Sequence, residues 1–195
     1  MKQSTSILLS SLFAWALFLG SPADTAAQPE AVRVRRIEPR LVDAPRYQVR
    51  EGREDPSGRR DRWLEVRVQY ERPEVEWLDD ATFTYYIVLR NRRPAEGDRE
   101  INLFRGDVNY VNIPRERGLQ SAVYMHPRTL ARYGEVERVA VVISSQGRML
   151  AIASAPDTDE RWWERLPPRT GYVLNRMQTP FAMINFDSFE AMKVE

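Results

Sequence analysis

Cysteine is absent from the 195-residue chain, and histidine occurs once, as His126. No disulfide can form, no thiolate can attack a substrate or hold a metal, and no acylated cysteine can follow a cleaved leader. One histidine supplies neither a two-histidine metal site nor an HExxH helix. A serine-histidine-acid triad would have to use His126, and the chain contains no GxSxG turn to expose the serine. His126 is therefore read as a loop or helix-start residue beside Pro127. Only nine glycines occur, and none builds a phosphate-binding loop. Lysine is nearly missing as well. Lys2 and Lys193 are the only ones among 29 basic residues, which face 28 acidic ones. The arginine excess is read as a coding bias rather than a set of phosphate forks. A net charge of +1 leaves no bulk field for nucleic acid.

What is present begins with a targeting pattern. Lys2 gives a positive start, Ile7 to Leu19 is apolar, Gly20-Ser21-Pro22 ends the run, and Thr25-Ala26-Ala27 offers small residues to a peptidase. As a helix the apolar run rises about 20 Å, short of a hydrocarbon core of about 30 Å. Residues 1–27 are thus expected to be a cleaved export signal, and no later segment is apolar enough to span a membrane. The expected location is periplasmic or extracellular. The mature chain, residues 28–195, is expected to be one domain that relies on its core alone for stability.

The richest stretch is Arg138 to Ser154, RVAVVISSQGRMLAIAS. Two apolar runs, Val139 to Ile143 and Met149 to Ala153, flank a turn in which Gly147 can take positive φ. Apolar residues at nearly every position predict a hairpin covered on both faces, at the centre of a sandwich. Upstream, Val32, Val34 and Ile37 among Arg33, Arg35 and Arg36 predict an edge strand. Tyr47 to Val49 is a short strand candidate, followed by a polar loop over Glu51 to Arg62. Trp63 to Tyr70 alternates, with Leu64, Val66, Val68 and Tyr70 on the core side and Glu65, Arg67 and Gln69 toward water. Thr82 to Arg90 alternates likewise, with Phe83, Tyr85, Ile87 and Leu89 on one face. Ile101 to Ile113 is expected to break at Gly106-Asp107, and Leu119 to Met125 is a further strand.

Helices are expected to be short. Pro127 to Tyr133 begins with proline and is followed by Gly134. Asp159 to Leu166 carries a capping-box spacing at Asp157 and Glu160 and stops at Pro167-Pro168. Tyr172 to Phe181 is expected to be a closing strand, with Phe186, Phe189 and Met192 at helical spacing after it. About nine strands without strand-helix alternation predict an all-β fold. Short strands spaced by turn signals argue for an antiparallel sandwich or barrel with two or three short helices; the sandwich is the expectation, and its immunoglobulin-like form is what the resemblance below implies.

The chemistry-bearing candidates are few. A carboxylate pair can cleave a glycosidic bond, but Asp79 and Asp80 are adjacent rather than flanking a cleft. Asp157, Asp159 and Glu160 could offer oxygens to calcium but lack an EF-hand pattern, and capping explains them better. No cofactor, metal site or catalytic residue is expected. Trp162 and Trp163 point about 100° apart on a helix, so one ring could pack inward while the other meets a sugar or protein. Packing of both under the sandwich is the competing reading. Met177, Phe181, Met183, Phe186, Phe189 and Met192 form an apolar series near the chain end, suited to a partner or to the domain's own sheet. The candidate partner-binding residues are therefore Trp162, Trp163, Phe181, Phe186, Phe189 and Met192. The arginine-rich first strand could instead accept an incoming strand.

With its leader, its cysteine-free β domain and the stretch Leu174 to Phe186, LNRMQTPFAMINF, the chain resembles small exported immunoglobulin-like proteins encoded with type IV pilus genes in verrucomicrobial bacteria. The resemblance implies an immunoglobulin-like sandwich and a periplasmic or surface role near a pilus or its assembly machine. It carries over no catalytic residue. The chain departs from ordinary immunoglobulin domains in lacking the Cys…Trp…Cys framework. The expected function is a non-enzymatic binding or structural component of the cell envelope with a protein partner. The alternative is a carbohydrate-binding module that uses exposed tryptophans on a glycan. An enzyme with an unrecognised carboxylate pair is a third reading.

Overall fold

The computed structural model describes residues 31–45, 62–73, 77–189 and 191–193. The expected leader, the strand at Tyr47 to Val49 and all but the last residue of the loop at Glu51 to Arg62 lie outside them. Among the described residues no helix is long and apolar enough to cross a membrane.

Among the described residues nine strands form two antiparallel sheets. They are β1 (Arg33–Asp43), β2 (Arg62–Glu71), β3 (Leu78–Arg90), β4 (Ile101–Ile113), β5 (Leu119–Met125), β6 (Glu135–Ser145), β7 (Arg148–Ala155), β8 (Val173–Asn175) and β9 (Ala191–Met192). The first sheet runs β1-β2-β5-β8 and the second β7-β6-β3-β4-β9. The three-strand group β1-β2-β5 facing β7-β6-β3-β4 is the immunoglobulin-like arrangement, with β4 beside β3 as an added strand of the second sheet. The all-β sandwich expected from the strand pattern is what the chain forms.

Alternation explains the core. Leu64, Val66, Val68 and Tyr70 of β2 meet Phe83, Tyr85, Ile87 and Leu89 of β3, with Val139, Val141 and Ile143 of β6, all fully buried. With no cysteine to join the sheets, a polar tie lies inside this core. Ser121 of β5 receives the Tyr85 hydroxyl at 2.6 Å and lies 2.8 Å from the Tyr110 hydroxyl of β4. Burial raises the Tyr85 phenol well above its usual pKa, so it stays a donor.

Several local expectations are corrected. The hairpin β6–β7 forms, turning through Gln146 and Gly147 at positive φ. Only β6 is interior, however. β7 is the sheet's edge strand, and β3, paired on both sides, is nearer the centre. No break occurs at Gly106-Asp107, because β4 pairs with β3 continuously from Ile101 to Ile113. Gly106 instead admits a neighbour: a Cβ there would lie 2.6 Å from Val173 Cβ. The expected helix over Asp159 to Leu166 contracts to a 3-10 turn at Trp162–Glu164 without a side-chain cap. The closing strand contracts to the three residues of β8, since the Asn175 side chain caps a 3-10 turn at Arg176–Gln178 and bends the chain away. Phe186 falls in a 3-10 turn, Phe186–Ser188, and Met192 in β9, rather than in one helix. The helix α1 (Pro127–Tyr133) forms as expected, with His126 Nδ1 accepting the Arg128 amide at 3.0 Å.

The segment after β7 is what sets this sandwich apart. It lays the 3-10 turn on the outside of the second sheet and pairs β8 with β5. It then crosses the outer face of the first sheet and pairs β9 with β4. One side of the sandwich is therefore closed by the chain's own end.

Candidate interaction surface

Trp162 and Trp163 are both buried, at 6 % exposure each. They sit on the outer face of the second sheet against Val88, Leu103 and Ala140, and Trp163 stacks on Tyr86 at 5.7 Å. Instead of one ring facing a ligand, the two rings meet edge-on at 5.3 Å and seal the sheet. The three-residue 3-10 turn is one winding with sheet on one side, and both side chains reach that sheet. Among the described tryptophans the exposed one is Trp77, just before β3, in a connection where no periodicity marks it.

The C-terminal segment divides into an anchored half and an exposed half. Phe181 is buried, stacked on Tyr124 at 4.7 Å and edge-on to Trp63 at 5.8 Å. Arg176 is the pin. Its Nε donates to the Phe181 carbonyl at 3.2 Å and its Nη1 to the Asn185 carbonyl at 3.5 Å. Its guanidinium lies 4.0 Å from the centre of the Phe189 ring. Phe189 and Met192 are half-buried, Phe189 against this outer-face cluster and Met192 against the main core. By contrast Met177, Met183, Ile184 and Phe186 are 53 %, 72 %, 41 % and 55 % exposed. Of the six candidates, then, Phe186 alone presents a largely free ring. Met183 and Ile184 join it because the turns pinned by Arg176 aim them outward. The sequence placed Met183 in an apolar series, but only the fold shows which members of that series are spent on the sheet.

Beneath the segment lies a charged group on the outer face of the first sheet. Glu65 is buried there rather than turned to water. It is ion-paired with Arg40 and with Arg67 at 3.2 Å, and accepts the Tyr124 hydroxyl at 2.9 Å. Burial works hardest against its charge. The hydrogen bonds from Arg40 and Tyr124 and the charges of Arg67 and Arg40 together outweigh it and hold its pKa below the ordinary carboxylate value. Burial, with Glu65 beside it, raises the Tyr124 phenol, which stays protonated to donate. A depressed carboxylate stabilises the fold above its unfolded pKa, and that contribution is lost as pH falls through the folded value. The melting temperature of the wild type should therefore exceed that of Glu65→Gln at neutral pH, and the gap should narrow on acidification. A gap independent of pH would remove Glu65 from the linkage.

A shallow cleft is lined by Arg90, Asn91, Arg92, Arg93, Gly134 and Glu135. Arg90 is already engaged by Glu137 and Glu100, which offsets the cationic lining. Among the described residues no group of three His, Asp or Glu side chains is placed to hold a metal.

Among curated proteins nothing matches the chain. A crystal structure of a protein from Akkermansia muciniphila, a verrucomicrobium, superposes with a TM-score of 0.70 at 21 % identity. It covers 84 % of this chain and 93 % of that one, and supports the sandwich fold. A family model matches residues 23–195, nearly the whole chain, and the chain belongs to that family.

Proposed function

We propose that this protein is an exported, non-enzymatic binding component of a cell-envelope assembly, pilus-linked as the resemblance in Leu174 to Phe186 implies. It holds a protein partner through its C-terminal surface. The observation that carries the reading is the pinned segment presenting Met177, Met183, Ile184 and Phe186 to solvent. Large apolar side chains gathered on a surface mark interaction sites, and methionines adapt to the shape they meet. The glycan reading loses its support where Trp162 and Trp163 are covered.

The test is an in-cell cross-link of the tagged protein, with purification and mass spectrometry of what is attached, compared with Met183→Ser/Phe186→Ser. Both side chains are exposed, so the variant should stay within about 1 kcal/mol of wild-type stability. Envelope or pilus-assembly proteins should be recovered with the wild type and lost with the variant. Equal recovery from both would remove the C-terminal surface, and recovery of no envelope protein would remove the assembly role.

A further inference from the structure

The sandwich has four lateral sheet edges, and three are guarded. β1 carries Arg33, Arg35, Arg36, Pro39 and Arg40 and a register shift between Val34 and Arg36, devices that discourage pairing. β8 covers the edge of β5, and β9 covers that of β4. The fourth edge is β7. It is eight residues long, has no charged residue from Met149 to Ala155, and contains no proline; it shares with β1 a register shift, near Leu150, but not the arginines or the proline. Among the described residues no strand pairs with its outer side. Met149 and Ile152 stand on its outward face at 51 % and 36 % exposure. A long apolar edge of this kind is a template for another strand.

We infer that β7 pairs antiparallel with β7 of a second copy, joining the two five-stranded sheets across a two-fold axis. The strand's own charge pattern selects a second copy. Arg148 begins it and Asp157 follows its end, both exposed and without an ion pair among the described residues. Antiparallel self-pairing centred on Ile152 brings Arg148 of each copy to the Pro156–Asp157 end of the other, twice over. Ile152 of each copy then faces its equivalent, and, with the register shift beside Leu150 carried into the pairing, Met149 of each faces Ser154 of the other on the outward face. A two-fold interface requires this self-complementarity, and few edges possess it.

Sedimentation of residues 28–195 over a wide concentration range should show a reversible monomer-dimer equilibrium. Ile152→Lys sets two like charges opposite one another and should weaken the dimer by about 10-fold or more, with the circular dichroism of a folded sandwich retained. Arg148→Glu should weaken it too, and Arg148→Glu/Asp157→Arg should restore it. The exchange of charges keeps the test decisive even if the lysine variant misfolds. A monomer at every concentration overturns self-pairing and leaves the edge to an extended segment of another protein. A dimer indifferent to both Ile152→Lys and Arg148→Glu places the contact elsewhere and also overturns it.

Discussion

Arg176→Ala should free the segment from Arg176 to Phe189 from the outer face of the first sheet while the sandwich beneath stays folded. The guanidinium is buried and holds two carbonyls of the segment, those of Phe181 and Asn185, with the Phe189 ring against it. A hydrogen bond from a charged donor contributes about 1.5–3 kcal/mol, and a desolvated cation-ring contact about 2 kcal/mol. These contacts are not additive, so roughly 2–4 kcal/mol of local stability should go. The core strands contribute nothing to these contacts, so the loss should be local. Amide exchange over 176–189 should accelerate while β2, β3 and β6 keep their protection. Partner recovery should fall as it does for Met183→Ser/Phe186→Ser, although Arg176 itself is covered. Lysine should rescue poorly, because a single ammonium cannot span two carbonyls and a ring face. Unchanged exchange over 176–189 would show that the stacked Phe181 holds the segment unaided.

The largest loss of global stability is expected from Gly134→Ala. Gly134 closes α1, its amide donating to the Leu130 carbonyl at 2.8 Å, and sits at φ +91° and ψ −149°, a region open to glycine alone. An added Cβ would lie 2.0 Å from the Arg90 carbonyl oxygen and 2.7 Å from Asn91 Cα. Both obstacles are backbone, at the end of the strand that pairs with the next one, so no rotamer change relieves them. Conformational strain and the forced separation of β3 from β6 should together cost on the order of 3–5 kcal/mol. For a chain of this size the melting temperature should drop by roughly 10 °C or more. Gly147→Ala is the control. It shares a positive φ, +77°, but has nothing within 4 Å of the added atom. Its loss should be about 1–2 kcal/mol, the conformational part alone. Equal losses at the two sites would mean that the contact with Arg90 yields easily.

The alternating strands were legible because period two leaves no choice of face. Once Leu64, Val66, Val68 and Tyr70 enter the core, Glu65 must leave it. The fate of Glu65 after leaving was not legible. It is covered again by Arg40 of β1 and Tyr124 of β5, and period two reports only which side of its own sheet a residue takes. Gly106 shows the same limit. As a local signal a glycine in a strand suggests a break, yet here it answers a close approach by Val173. Adjacent rings do not share one face of a long helix, which makes the Trp162-Trp163 pair conspicuous in the sequence; the sheet that both rings cover is built from β3, β4 and β6 and leaves no local trace beside them.

The all-β sandwich, its core faces and the first helix follow from local periodicity, and the lack of thiol or two-histidine chemistry follows from composition. Where the C-terminal segment runs is set by packing between distant parts of the chain. Its path over both sheets settles which aromatic residues are used up in packing, which apolar ones face outward, and, among the described residues, which edge stays unpaired. Those outcomes depend on surfaces brought together from distant parts of the chain, and no local pattern of residues encodes them.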